Sequence, residues 1–185
     1  MLSAVRIIKR HEPDLRVILP LAAPHLRPQI EESLAEEEMT NDVTIIDRHT
    51  YTCLSACELI MLSSGTATVE AALLGVPMVV AYRVRPITFL LARQLVKARF
   101  IAMPNILAGE RIVPELIQED VTPERLATEA LRILENPLAA AGMRGRLAQV
   151  CSSLGSEGVL SRAAAFVLHT TRTVHYVRMT DDQYA

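Results

Sequence analysis

Four small residues, Ser63-Ser64-Gly65-Thr66, stand between an apolar run ending at Leu62 and a segment of helical composition that carries Glu70. A strand, a small polar turn and a helix in that order can build a phosphate site. The first-turn N–H groups of a helix lack intrahelical partners and lie at the positive end of its dipole, so a diphosphate can accept from them. The Ser64 and Thr66 hydroxyls would add donors, and Gly65 would tolerate unusual backbone angles. Glu70, about a turn further on, would accept hydrogen bonds from a ribose diol. The plainer alternative is that Ser64 or Thr66 caps the helix and that Glu70 is a solvated helix residue. Gly75 and Pro77 close the helix before a second apolar strand, Met78 to Ala81. Tyr82 and Arg83 follow it, at the strand end where ligands of open parallel sheets bind, and Arg83 there could pair with a phosphate or sugar.

The elements around this unit alternate. Periodicity predicts helices over Leu2 to His11, Pro24 to Glu38 and Thr50 to Cys57, with strands over Leu15 to Leu19, Val43 to Asp47 and Glu58 to Leu62. Further on it predicts a helix from Pro86 to Phe100, a short strand near Phe100 to Ala102, and a loop at Pro104-Asn105-Ile106-Leu107-Ala108-Gly109. Helices over Glu115 to Gln118, Pro123 to Glu135, Pro137 to Cys151 and Ser156 to Thr170 complete the pattern. Such alternation implies an α/β fold, a Rossmann-like parallel sheet with helices on both faces. Residues 1–170 read as one domain, and 171–185, without periodicity, as a frayed tail. Asn105 follows a proline in a loop, where its amide can bind a ligand or the backbone of its own turn.

Half of the 185 residues are hydrophobic, 22% are charged and the net charge is −2, which suits a cytoplasmic domain and gives no global attraction to nucleic acid or membrane. Glu31, Glu32, Glu36, Glu37 and Glu38 form an acidic helix end, read as a solvated face. Arg83, Arg85, Arg93, Lys97 and Arg99 form a basic stretch with no acid between them. Its helix is either an ordinary surface helix or a surface for anionic headgroups, with Arg93 and Lys97 on one face and Phe89 as the membrane-facing candidate. No apolar run reaches the roughly 20 residues of a spanning helix. Cys53, Cys57 and Cys151 do not make an even disulfide set, and neither they nor the five histidines have metal-ligand or triad spacing, so no metal is expected.

The run SSGTATVEAALLGVPMVVAYRV, followed by PITFLLARQLVK and MPNILAGERIVPELIQED, resembles the lipid-A-disaccharide synthases, bacterial glycosyltransferases of the two-domain Rossmann-like (GT-B) architecture. The similarity covers roughly residues 59 to 135, with weaker likeness on both sides. PNILAG with ELIQED is more specific than SGT, which related UDP-sugar enzymes share.

The resemblance implies an inverting transfer from UDP-2,3-diacylglucosamine to 2,3-diacylglucosamine 1-phosphate, releasing UDP, without metal or other cofactor, on the cytoplasmic face of the bacterial inner membrane. It places this chain in the C-terminal, donor-binding half, and adds Asn105, Glu115 and Gln118 to Ser64, Gly65, Thr66, Glu70, Tyr82 and Arg83 as residues lining the donor pocket. Glu115 has a competing role as a helix N-terminal anion. The acceptor domain, with its general base, and the opening strand of the donor domain have no counterpart here, so a separate N-terminal half is an expected partner. Two other readings stay open: a UDP-binding module without catalysis, and a related enzyme such as a UDP-N-acetylglucosamine 2-epimerase.

Overall fold

A computed structural model describes residues 1–85, 99–155, 158 and 161–170. The chain divides into two compact units, Met1–Cys151 and Ser152–Ala185. The expected tail, 171–185, lies outside the described residues, as does 86–98, which holds most of the expected basic helix with Phe89, Arg93 and Lys97.

The first unit opens with α1 (Leu2–His11), which buries Ala4, Val5 and Ile8 on one face. Strand β1 (Val17–Leu21), a 3-10 turn (Pro24–Leu26), α2 (Arg27–Glu36), β2 (Val43–Asp47) and α3 (Thr50–Ser55) follow. Next come β3 (Ile60–Ser63), α4 (Ala67–Leu73) and β4 (Met78–Tyr82). Beyond residue 98 lie α5 (Met103–Ala108), β5 (Glu115–Ile117), a 3-10 turn (Gln118–Asp120), α6 (Pro123–Leu134) and α7 (Pro137–Ser153). In the second unit, residues 161–170 are helical.

All pairings among the described strands are parallel, as a chain that returns through helices requires. They form two ladders, β1-β2 and β3-β4-β5. Central β4 buries Met78, Val79, Val80 and Ala81, the continuous apolar run expected of a strand covered on both faces. Helix α6 packs against both α1 and β4. Its start is fixed by Thr122, whose side chain accepts a hydrogen bond from the Arg125 N–H, and by Pro123 in the first turn. Its buried residues Leu126, Ala127, Ala130 and Ile133 fall at helical spacing on one face.

Gly75 ends α4 as expected. It sits at φ 67°, donating to Ala72 O, while Val76 donates to Ala71 O, so the last carbonyls of the helix are satisfied by the turn itself.

Three local expectations are corrected. Phe100 to Ala102 is not a strand. The supposed PNILAG loop is α5, started by Pro104 in its first turn and stopped by Gly109 at φ 70°. The supposed helix from Glu115 is β5, held to β4 by the register Val80↔Glu115, Ala81↔Leu116 and Tyr82↔Ile117.

Candidate functional site

The C-terminal ends of β3, β4 and β5 lie side by side, because Ser63 is level with Ala81 and Tyr82 with Ile117. The turn after β3, residues 64–66, the Tyr82-Arg83 exit from β4 and Gln118 after β5 are therefore gathered at one end of the three-stranded sheet. This is where open parallel sheets hold ligands.

The turn is anchored from below. The Ser64 N–H donates to Ala81 O at 3.0 Å, carrying the ladder one residue past β3. Fully buried Thr68 donates its hydroxyl to Gly65 O at 2.6 Å, and its N–H reaches the same oxygen at 3.1 Å. Thr68 is not among the sequence candidates; its signal is a hydroxyl in the first turn of α4, on the face it shares with buried Ala71 and Ala72.

Neither candidate hydroxyl caps α4. Ser64 Oγ donates to Ile101 O at 3.0 Å, and Thr66, at the N-cap position, makes no side-chain cap hydrogen bond and is exposed. Gly65 is not among the positive-φ residues, so its tolerance of unusual backbone angles is not used by the turn. A Cβ built there meets nothing within 4 Å. The fold itself does not require glycine at 65, whereas a ligand lying against the backbone would. Glu70 stands on α4 one turn in, partly buried.

Glu115 and Gln118 set the shape of the neighbouring wall. One Glu115 carboxylate oxygen accepts from the Ile101 and Ala102 N–H groups at 2.8 and 2.7 Å. Because Ile101 O receives Ser64 Oγ, the segment before α5 is tied to both β5 and the Ser64 turn. Gln118, buried and at φ 52°, accepts from the Val84 N–H at 2.7 Å and donates to Val84 O at 3.1 Å. Its amide acts as a short extra rung beside β4 and fixes where Arg83, itself exposed, leaves the sheet.

Asn105 is fully buried. It accepts from the Ile112 and Val113 N–H groups at 2.8 and 2.9 Å and donates to Val113 O at 2.9 Å, clamping α5 onto the loop that enters β5. In this state its amide serves the backbone, the alternative that the sequence left open.

Other polar features lie elsewhere. A cavity of about 340 Å³ has Arg111, Arg132 and Arg146 in its wall. It sits at the opposite end of the sheet, since Met143, another lining residue, accepts the N–H of Met78 at the start of β4. Two of its guanidiniums are neutralised by the ion pairs Arg146–Glu110 and Arg132–Glu129. Cys57 donates its thiol to Cys53 O, and burial, followed by the neighbouring Cys53, pushes its pKa above the ordinary thiol range, as expected of an inert thiol. No cluster of three or more His, Cys, Asp or Glu suited to a metal occurs among the described residues.

Parallel strands, returning helices and polar turns gathered at the strand C-termini define a Rossmann-like α/β domain. A crystal structure described as a UDP-N-acetylglucosamine 2-epimerase from Listeria monocytogenes shares this fold, with a TM-score of 0.54 over 78% of this chain and 34% of that one, at 21% sequence identity. The chain belongs to the lipid-A-disaccharide synthase family: the family model described as lipid-A-disaccharide synthetase matches residues 1–166. The lipid-A-disaccharide synthase of Geobacter sulfurreducens is 39% identical over 168 residues, which are 91% of this chain and 43% of the relative. That of Azotobacter vinelandii is 44% identical over 133 residues, 72% of this chain and 35% of the relative. The chain thus spans less than half the length of these relatives.

Proposed function

We propose that this chain is the donor-nucleotide-holding part of a lipid-A-disaccharide synthase, and that UDP-2,3-diacylglucosamine seats its UDP at the C-terminal end of the three-stranded sheet. The observation that carries the reading is the Ser64-Gly65-Thr66 turn. It is anchored by Thr68 and Ala81, its glycine faces open space, and its Thr66 hydroxyl is left out of the helix cap. The diphosphate would accept from the Gly65, Thr66 and Ala67 N–H groups at the start of α4, since those of Thr68, Val69 and Glu70 are taken by Gly65 O and Thr66 O, and from the Thr66 hydroxyl, and Arg83 would add a cation at the exit from β4. Glu70 would accept from the ribose diol. Tyr82 would close the side of the site next to Arg83, while Asn105, Glu115 and Gln118 act on the donor by holding the walls in place.

In the transfer itself, the chain's contribution is to bind the leaving UDP and stabilise the charge that develops on its diphosphate. The acceptor, 2,3-diacylglucosamine 1-phosphate, must be positioned and its attacking hydroxyl deprotonated by groups outside this site, which we place in a separate N-terminal half. Both sugars carry acyl chains, so the reaction belongs at the cytoplasmic face of the inner membrane, with the protein peripheral to it. Exposed Arg83, Arg85 and Arg99 support that placement. So do the exposed apolar residues Leu73 on α4 and Met103, Ile106 and Leu107 on α5. Among the described residues no helix is long and apolar enough to cross a membrane.

The test is a transfer assay with both substrates, using the purified 185-residue chain with and without the N-terminal portion of the Geobacter sulfurreducens synthase. Disaccharide and UDP are expected only from the pair. Disaccharide made by the chain alone would show that the acceptor site is built within it, and no product from a demonstrated complex of the two would count against the transfer reading.

A further inference from the structure

Three arginines meet at the end of the sheet away from the proposed nucleotide site. Arg111 comes from the loop that enters β5, Arg132 from the last turn of α6 and Arg146 from the middle of α7, and all three line the cavity of about 340 Å³ beside the start of β4. A second hollow of about 180 Å³ shares Arg111, Ile112 and Arg132 with it, so the two form one groove. Its size suits a small molecule.

The charge of this groove departs from that of the chain. The whole protein carries a net charge of −2, yet the larger hollow sets three arginines against one glutamate, Glu110. The existing bonds hold these arginines loosely. Arg146 pairs with Glu110, Arg132 reaches Glu129 through Nε and Nη2 at 3.1 and 3.0 Å, and Arg111 donates from Nη2 to Glu115 O at 3.2 Å. Each contact engages one or two nitrogens of its guanidinium and leaves donors over. Arg132 and Arg146 are exposed, and ion pairs at the surface contribute little, so an incoming anion can take over from Glu110 and Glu129 at small cost.

We propose that this groove binds a phosphomonoester, with the phosphate among the three guanidiniums and the organic body over Ile112, Ile133 and Met143. The cations select the phosphate. Three forks arriving from three elements match the terminal oxygens of a dianion, whereas a carboxylate offers two oxygens in one plane and is satisfied by a single fork. The floor selects the body. Ile133 and Met143 are buried apolar residues of the core, and a Cβ built at Gly142 meets nothing within 4 Å, which leaves room along α7. A free sugar phosphate and the headgroup of phosphatidic acid both carry the required group. No part of this inference rests on the nucleotide site, which lies at the other end of β4.

The experiment titrates the 185-residue chain calorimetrically with glucosamine 1-phosphate, inorganic phosphate and acetate, and measures its flotation with phosphatidic acid vesicles against phosphatidylcholine vesicles. Saturable binding of one phosphomonoester is expected, glucosamine 1-phosphate for a free source or phosphatidic acid for a lipid one, with acetate weaker by about tenfold or more. Arg111→Ala and Arg146→Ala should each weaken that binding several-fold. Glu110→Gln, which removes a competing carboxylate, should strengthen it, a gain that a damaged fold would not produce. UDP affinity should be the same in Arg146→Ala and Glu110→Gln as in the parent chain, so failure of the nucleotide site and failure of this one are read separately. No saturable binding of either phosphomonoester, equal affinity for acetate, or binding indifferent to all three substitutions would overturn the proposal.

Discussion

Gly65 and Glu70 separate a ligand site from a helix start. With no atom within 4 Å of a Cβ at Gly65, Gly65→Ala is expected to change stability by no more than about 0.5 kcal/mol. The same methyl group would stand where the diphosphate meets the backbone, so UDP binding should weaken at least several-fold. Glu70→Gln should weaken UDP by about 1–3 kcal/mol through loss of a charged acceptor for the ribose. Thermal unfolding and calorimetry on both variants check this pair, and a Gly65→Ala protein that binds UDP normally would remove the turn from the site. Asn105 calls for the opposite pattern. Its three hydrogen bonds, two of them buried, make Asn105→Ala a stability variant, losing roughly 1–3 kcal/mol for each buried backbone group left unpaired, as denaturant unfolding would show. In the sequence the small polar turn and Arg83 stand out because their types suit an anion, and Glu70 because a carboxylate suits a ribose diol; the structure shows that they share one strand–turn–helix–strand unit. The roles of Glu115 and Gln118 as wall anchors were not, since each acts on a backbone group, Ile101 or Val84, that is distant in sequence.

Among the elements, those with a full period of apolar residues could be read directly. Helix α1 and strand β2 occupy the predicted spans, and α6 and α7 do so to within a residue or two. The region between Phe100 and Asp120 could not. Strand β5 is only three residues long, too short to display alternation, and it exists because β4 offers an edge to Glu115, Leu116 and Ile117. Helix α5 is only six residues long and begins at a proline-containing turn, so its composition reads equally well as a loop. The end of α2 supplies a prediction at this scale. Glu38 occupies the left-handed region at φ 57°, with its N–H on Ala35 O and that of Met39 on Leu34 O, a turn in which glycine is the unstrained residue. Glu38→Gly is expected to raise stability by up to about 1 kcal/mol in denaturant unfolding, since a side chain in that conformation costs roughly 1–2 kcal/mol, of which glycine's extra unfolded-state entropy returns part.

For the whole molecule, strand–helix alternation made a parallel α/β fold legible, and the family follows from a match over residues 1–166. The division of the strands into two ladders was not legible, because periodicity reports which residues are buried and not which strands are neighbours. That division bears on the proposed function, since the end of the sheet proposed to hold the nucleotide is bounded by β3, β4 and β5 on one side only. We propose above all that this end of the three-stranded sheet holds UDP through its diphosphate. Isothermal titration of the 185-residue chain with UDP and, separately, with uridine tests it most directly. Saturable one-to-one binding of UDP is expected, with uridine weaker by about tenfold or more, because the helix N-terminus and Arg83 act only on the phosphates. Equal affinity for the two ligands, or no saturable heat with UDP, would contradict it.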